Sequence, residues 1–180
     1  FYQYNPNDTV WGPMHWGHAV SPDLLHWEHL PIALYPDDLG TIFSGSAVID
    51  WHNTAGFGKE AMVAIFTHAD TITQQQSIAY STDKGRTWTK YQGNPVLVPP
   101  SCIRNFRHPK VFWYGAPEDG HWVMALAAGS SILFFTSPDL KVWTSSGGFG
   151  IQGATCGVWE TPALFELPLD KTDETRWALL

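Results

Sequence analysis

Two short segments of the sequence carry side chains that could act chemically on a bound ligand. The first, Phe106-Arg107-His108-Pro109, places an arginine and a histidine where an apolar strand begins, with a proline fixing the backbone. A guanidinium is planar and has five N–H donors, so Arg107 could grip a carboxylate or a pair of hydroxyl groups. The alternative is an ordinary surface arginine, and the segment alone does not decide between the two.

The second segment is Trp159-Glu160-Thr161-Pro162, which precedes another apolar stretch. An indole beside a carboxyl group excludes water from it and favours the neutral form, which a general acid needs near neutral pH. Glu160 is therefore a candidate proton donor. The alternative is a solvated carboxylate in a loop.

Other polar and aromatic residues give weaker signals. Residues 41–50 predict a turn followed by a strand, in which Phe43 is either a ring exposed at a loop edge or, as we favour, a core residue beside a glycine bulge. His15 and His18 lie three residues apart, as do His26 and His29. On strands and turns the members of each pair point to opposite faces, so we expect no metal site.

A repeated turn sequence indicates which elements position these residues. It occurs three times, as Ser21-Pro22-Asp23-Leu24-Leu25-His26-Trp27, Ser81-Thr82-Asp83-Lys84-Gly85-Arg86-Thr87-Trp88 and Ser137-Pro138-Asp139-Leu140-Lys141-Val142-Trp143. We expect the Ser and Asp side chains to close each turn by bonding to the backbone, and the Trp to pack between neighbouring sheets. The spacing suits a four-stranded blade, so the chain is predicted to be all-β, with about three blades of a β-propeller. The alternative is three unrelated hairpins.

Composition narrows the class of partner. The 180 residues are 44% hydrophobic and 15% charged, as in globular proteins, and no apolar run approaches the ~18 residues of a spanning helix. A net charge of −7 with 10 Lys and Arg argues against a nucleic-acid partner, whereas 10 Trp suit an uncharged, hydroxylated ligand.

Cys102 and Cys156 could pair in a disulfide. The cellular compartment stays open, with a secreted protein favoured over a cytoplasmic one.

Five ordered motifs make the whole chain resemble glycoside hydrolase family 32, the invertases, β-fructofuranosidases and fructanases. The motifs are Phe1-Tyr2-Gln3-Tyr4-Asn5-Pro6, Trp11-Gly12-Pro13-Met14-His15-Trp16-Gly17-His18-Ala19, Phe43-Ser44-Gly45-Ser46, Phe106-Arg107-His108-Pro109-Lys110-Val111 and Trp159-Glu160-Thr161-Pro162-Ala163-Leu164-Phe165. The resemblance implies a five-bladed propeller with a sugar site on its axis, usually followed by a β-sandwich that this chain lacks. We therefore expect residues 1–180 to be a propeller catalytic domain truncated at both ends.

The resemblance also implies a reaction and a set of roles. Family members cleave the β-fructofuranosyl bond of sucrose or fructans with retention, by double displacement between two carboxylates and without a cofactor or metal. By motif position, Glu160 is the acid/base, and Arg107 orients both the sugar and the acid. The remaining expected sugar-binding residues are Gln3, Trp11, Phe43, Ser44 and, in an altered form, His108.

Three departures from the family pattern bear on activity. The nucleophile of the family lies in an Asn-Asp-Pro-Asn motif ahead of the segment matching Phe1, and no such motif occurs here; Asp8 follows Gln3 and is not its equivalent. His108 stands where the family has an aspartate that stabilises the transition state. Thr161 and Ala163 replace a cysteine and an aspartate of the Glu160 motif.

These observations leave two main hypotheses. The first is a β-fructofuranosidase whose 180-residue piece is inactive alone, and the second is a sugar-binding module or degenerate pseudoenzyme. A third, a sialidase, requires an arginine triad that so few basic residues do not favour. Because three blades cannot close a ring, we also expect apolar patches at the chain ends and poor solubility of the isolated piece.

Overall fold

The computed structural model describes residues 1–101, 103–153, 156–170 and 172–180. Thirteen β-strands follow one another in these residues: β1 (Tyr2–Tyr4), β2 (His15–Val20), β3 (Glu28–Leu34), β4 (Thr41–Asp50), β5 (Ala61–Ala69), β6 (Gln74–Ser81), β7 (Thr89–Lys90), β8 (Phe106–Tyr114), β9 (His121–Ala128), β10 (Ser131–Ser137), β11 (Thr144–Gly150), β12 (Leu164–Pro168) and β13 (Thr175–Leu179). No helix in this described part is long and apolar enough to cross a membrane.

Within the described ranges the strands form four antiparallel sheets, each from consecutive strands. The first sheet is β1–β3, the second β4–β7, the third β8–β11, and the fourth is the pair β12 and β13. Sequential up-and-down sheets of up to four strands are the blades of a propeller. The predicted all-β fold with about three blades is therefore confirmed.

The repeated turns have the predicted hydrogen bonds. Asp23, Asp83 and Asp139 each accept backbone N–H groups from the residues that follow them, at 2.8–3.0 Å. Each closing tryptophan donates its indole N–H to a carbonyl three residues earlier, at 3.1, 2.9 and 3.1 Å for Trp27, Trp88 and Trp143. The three copies thus fold alike because their side chains satisfy the same backbone groups.

The packing of these tryptophans differs between copies. Trp88 lies against the core between the first and second sheets, and Trp143 against the core between the second and third. Trp27 is 54% exposed, so the prediction that it fills a gap between sheets is wrong. The second sheet contacts the first through β4 and also through Phe66 of β5, whose ring centroid lies 5.9 Å from that of Trp16.

Three hydrophobic cores hold the described sheets together, and the smallest, between the third and fourth sheets, is formed by Ala125, Ala127 and Ile132 with Leu164 and Leu179 packed against them. Between the second and third sheets, the buried residues include Val63, Ile65, Ile78, Val111, Trp122, Met124 and Leu126. Between the first and second sheets, they include Trp16, Leu34, Ile42, Ala64 and Phe66. The first strands of the second and third sheets, β4 and β8, lie side by side, which brings the starts of successive sheets to a common region.

The strand β4 corrects one prediction. Residues 41–50 form a single strand without the expected initial turn. A bulge between Phe43 and Gly45 does occur, where the pairing with β5 shifts register. A side chain at Gly45 would place its Cβ 2.0 Å from the Ile65 carbonyl oxygen, so the close approach of the two backbones requires glycine. Phe43 is half-buried, between the two alternatives weighed for it.

Two further predictions concern the pairing of the cysteines and the apolar surfaces near the chain ends. Cys102 lies outside the described residues, and Cys156 is exposed, so their pairing stays a prediction. Large apolar side chains are exposed near both ends, including Phe1, Tyr2, Trp177 and Leu180. Such surfaces favour association with other apolar surfaces.

Candidate active site

A cavity of about 440 Å³ collects every side chain predicted for the site. Its lining comprises Gln3, Trp11, Phe43, Ser44, Arg107, His108 and Glu160, together with Thr161. These residues lie on β1, β4, β8, the loop after β1 and the loop before β12. The cavity therefore exists only where the sheets meet, and no single sheet contains it.

An ion pair between Arg107 and Glu160 is the strongest polar contact in the cavity. The Nε and Nη2 atoms of Arg107 both donate to Oε1 of Glu160, at 3.0 and 2.8 Å. The Glu160 side chain is 52% exposed and that of Arg107 is 10% exposed. The water exclusion that Trp159 suggested for Glu160 is not found, because the carboxylate points to the guanidinium and the open cavity.

The guanidinium of Arg107 is held from its other side as well. Its Nη1 donates to Oδ1 of Asn105 at 2.6 Å and to Oε1 of Gln74 at 3.2 Å. The same Gln74 oxygen accepts the Phe106 backbone N–H at 3.0 Å. A buried guanidinium that donates four hydrogen bonds excludes the alternative of an ordinary surface arginine and fixes the direction in which Glu160 is held.

A bulge in β8 aims its residues at the cavity. The pairing of β8 with β9 shifts between Arg107 and Lys110, and His108 has a φ of 63°, in the left-handed region. The His108 backbone N–H, which the bulge frees, donates to the Thr67 hydroxyl at 3.0 Å. That hydroxyl donates to Oε1 of Gln76 at 2.7 Å, and Nε2 of Gln76 donates to the Phe106 carbonyl at 2.7 Å.

Ser46 of β4 secures the far side of the same bulge. Its hydroxyl donates to the Pro109 carbonyl at 2.8 Å and accepts the Val111 backbone N–H at 3.0 Å. Side chains of the second sheet thus form hydrogen bonds with the backbone groups of the β8 bulge that do not pair with β9. The position of His108 is therefore set by the neighbouring sheet.

The imidazole of His108 is neutral near physiological pH. Burial and, to a smaller extent, the positive charge of Arg107 lower the pKa of His108 from 6.5 to about 4, against the opposing effect of the Glu160 carboxylate. Its Nδ1 accepts the backbone N–H of Thr161 at 3.3 Å. The ring centroid lies 6.5 Å from that of Phe43.

An aromatic rim and an unpaired amide oxygen complete the cavity. Trp11 is 67% exposed, and its ring meets that of Phe43 edge to face, with centroids 5.4 Å apart. The Oε1 atom of Gln3 is buried and has no hydrogen-bond partner in the described residues. Flat rings beside an unpaired acceptor suit a ligand with both apolar faces and hydroxyl groups.

A neighbouring cavity of about 590 Å³ holds Asp8, which is absent from the lining of the first. Its Oδ1 accepts the Thr9 backbone N–H within its own turn. Asp8 therefore lies outside the lining that contains Glu160, and its exclusion as the nucleophile stays a prediction. In the described residues, no group of three or more His, Cys, Asp or Glu side chains could hold a metal ion.

Sequence reasoning missed the residues that hold the site together: Thr67, Gln74, Gln76, Asn105 and Thr161. One signal was available, because Gln74-Gln75-Gln76 places amide groups at the start of a strand whose centre is apolar. Amides in a buried strand need partners, and those partners could have been sought in the site.

A match over the full length decides the family. The model of the "Glycosyl hydrolases family 32 N-terminal domain" matches residues 1–180. The chain belongs to glycosyl hydrolase family 32. The resemblance predicted from five motifs is thereby confirmed, and so is the assignment to a family of glycosidases that includes invertases.

Individual relatives agree with the family 32 assignment. A levanase of Bacillus subtilis (strain 168) is 59% identical over 184 residues, which cover 99% of this chain and 27% of the levanase. The crystal structure of an exo-inulinase from Aspergillus awamori has 42% sequence identity and a TM-score of 0.88, covering 98% of this chain and 40% of that chain. A fructofuranosidase from Schwanniomyces occidentalis, complexed with fructose, has 40% identity and a TM-score of 0.89 over 98% of this chain and 36% of its own.

The chain thus spans between about a quarter and two fifths of these relatives. The domain described here corresponds to part of the family 32 propeller.

Proposed function

We propose that this domain forms the fructose-binding part of the active site of a retaining β-fructofuranosidase, which cleaves sucrose or fructans on the fructose side. The observation that carries the proposal is the hydrogen-bonded pair of Arg107 and Glu160 in a cavity lined by all the other expected residues. The names of the relatives support it, since they include a levanase, an exo-inulinase and a fructofuranosidase complexed with fructose.

Glu160 is the proposed general acid and base. In the first step its carboxyl group gives a proton to the glycosidic oxygen as the bond to the fructose carbon breaks and a second carboxylate bonds to that carbon. In the second step the Glu160 carboxylate takes a proton from water, which attacks the same carbon and displaces the second carboxylate. Arg107 keeps the carboxyl group at the cavity edge through its two hydrogen bonds to Oε1.

The remaining lining residues are proposed to bind the sugar. Gln3 and Ser44 offer an amide and a hydroxyl for hydrogen bonds, and the unpaired Oε1 of Gln3 could accept one from a sugar hydroxyl. Trp11 and Phe43 offer ring surface to the apolar side of the sugar. The proposed ligand is thus a small carbohydrate.

Double displacement requires a second carboxylate, about 5–5.5 Å from the first. Apart from Glu160, no carboxylate lines the cavity in the described residues. We therefore propose that the nucleophile comes from a segment outside these 180 residues, and that residues 1–180 belong to a larger propeller catalytic domain. The 180-residue piece alone should then release no fructose.

The test compares wild-type and Glu160→Gln full-length protein on two substrates. Glutamine keeps an oxygen for Arg107 but cannot donate the proton, so kcat for sucrose should fall ~10²–10⁴-fold with KM little changed. An aryl β-fructofuranoside with an acidic phenol as leaving group needs no protonation, and its first step should be far less affected. Equal losses in the rate of the first step on both substrates would contradict the role of Glu160 as the acid.

A sugar-binding module without catalysis is the second candidate, and the observation that favours it is His108. A neutral imidazole cannot stabilise developing positive charge as a carboxylate does. Calorimetric titration of the full-length protein with sucrose and fructose, alongside an assay for fructose release, separates the two functions. Binding without any release would support the module.

A further inference from the structure

Two residues with unusual backbone conformations face each other in the cavity. His108 has a φ of 63° and Thr161 a φ of 47°, and neither is glycine. The left-handed conformation costs such residues roughly 1–2 kcal/mol each. Strained residues persist where their surroundings hold them, and they cluster at functional sites. Here they are joined directly, because the Thr161 N–H donates to Nδ1 of His108.

This contact determines which ring nitrogen carries the hydrogen. A neutral imidazole has one N–H and one acceptor nitrogen. Because Nδ1 accepts the Thr161 N–H at 3.3 Å, it must present its lone pair, so the hydrogen is on Nε2. Within the described residues, no protein atom forms a hydrogen bond to Nε2, although His108 lines the cavity. The cavity thus contains an unused donor.

The charged groups around the ring keep it in this state. Arg107, on the same strand, and Glu160, in the loop before β12, are the charged side chains that line the cavity with it. The Arg107 guanidinium and burial together hold the pKa of His108 at about 4. A doubly protonated ring would turn an N–H of Nδ1 against the N–H of Thr161, so the geometry and the charges favour the same neutral form.

We propose that His108 is a specificity-determining residue, whose Nε2–H donates a hydrogen bond to an oxygen of the bound fructosyl unit. This inference rests on the proposed function for the identity of the ligand. A carboxylate at this position could only accept, so the sugar hydroxyl would have to donate. The imidazole reverses the direction of that hydrogen bond and makes the sugar oxygen the acceptor.

The tautomer is tested first, without any ligand. In full-length protein labelled with ¹⁵N-histidine, long-range N–H correlation spectra distinguish a protonated Nε2 from a protonated Nδ1, and loss of the signals in His108→Asn assigns them. We expect His108 to show a protonated Nε2 and a bare Nδ1 at neutral pH. A protonated Nδ1, or a doubly protonated ring, would overturn the inference.

The direction of the hydrogen bond is tested with modified sugars. Binding is measured in the full-length Glu160→Gln protein, using methyl β-fructofuranoside and analogues in which each hydroxyl in turn is removed or replaced by fluorine. Fluorine accepts a hydrogen bond weakly and cannot donate one. At one position of the sugar, the fluoro analogue should bind about fivefold more tightly than the deoxy analogue.

Two further substitutions are matched in shape and differ in hydrogen bonding. In His108→Asn the amide oxygen can accept the Thr161 N–H while the NH₂ group still donates, so the fluoro analogue should remain the better ligand. In His108→Asp a carboxylate faces the fluorine and repels it, so the deoxy analogue should bind more tightly than the fluoro analogue. Both residues tolerate a left-handed backbone, so both variants should fold, which circular dichroism checks.

The outcomes separate this inference from the proposed function. If the parent fructoside does not bind, the proposed function is wrong. If it binds, but the fluoro and deoxy analogues rank identically in the His108, His108→Asn and His108→Asp proteins, the donor role of His108 is wrong while the proposed function stands.

Discussion

Another histidine, which does not line the cavity, is buried and has a lowered pKa like that of His108. His68 in β5 is fully buried, its Nδ1 lies 2.8 Å from the Ser77 hydroxyl, and its Nε2 lies 3.3 Å from Oδ1 of Asp37. Burial lowers the pKa of His68 from 6.5 to about 4, against the raising effect of the Asp37 carboxylate. At the scale of single residues, His68 and His108 therefore both resist protonation while the chain is folded.

Acid should destabilise the fold through His68. Because its folded pKa of about 4 lies below the ordinary 6.5, the unfolded chain takes up a proton first as the pH falls. The contribution of His68 is fully present above pH 6.5 and is lost progressively down to about pH 4. We expect His68 alone to account for a loss of about 3 kcal/mol in the free energy of unfolding, measured by urea denaturation as the difference between wild type and His68→Gln across this range.

The variant His68→Gln separates this effect from general acid sensitivity. It should be less stable than wild type at neutral pH but should lose less further stability on acidification. The control is His52→Gln, which changes a histidine that is exposed in the folded protein. An unchanged pH dependence in His68→Gln would show that the buried ring is not responsible.

At the scale of elements, the β8 bulge connects the fold to the site. Thr67 is fully buried, and its hydroxyl both accepts the His108 N–H and donates to Gln76. A strand of the second sheet therefore holds a residue of the third sheet in its left-handed conformation. Weakening this hydroxyl contact should loosen His108 without touching the cavity lining.

The substitution Thr67→Val removes the hydroxyl while keeping the shape. It leaves the His108 N–H and Oε1 of Gln76 buried without partners, which should cost about 3 kcal/mol. Amide exchange at His108 should accelerate, and affinity for methyl β-fructofuranoside should fall. Thr67→Ser keeps the hydroxyl and removes one methyl group, for about 1 kcal/mol. If Thr67→Ser and Thr67→Val accelerate His108 exchange equally, the hydroxyl does not hold the bulge.

The sequence predicted the repeated turns but did not predict the bulge in β8. The turns were predictable because Ser, Asp and Trp act on backbone groups within seven residues of one another, as in Ser21 to Trp27. Glu160 and Arg107 were likewise identified from their own motifs. The bulge was not, because Ser46 and Thr67 stabilise it from another sheet, and no local pattern encodes that pairing.

At the scale of the whole molecule, the sheets are joined more tightly than a row of separate hairpins. Trp122 of β9 is 2% exposed, and its indole N–H donates to the Thr54 hydroxyl at 2.8 Å, in the loop after β4. That hydroxyl donates to Oδ1 of the buried Asp50 at 3.1 Å. The repeat spacing predicted the individual blades. It did not predict the core shared by the second and third sheets, because that core forms between residues far apart in the chain.

Trp122 should therefore stabilise the second sheet as well as its own. In the full-length protein, Trp122→Ala should cost about 3–5 kcal/mol through the cavity left behind, with a further loss from the missing indole hydrogen bond to Thr54. Native-state hydrogen exchange should show faster opening of β4 and β5 together with β9. The control Leu167→Ala, which truncates an exposed side chain on β12, should change exchange in β12 and β13 alone. If Trp122→Ala affects only the third sheet, the two sheets open independently and the shared core between them does not couple their stability.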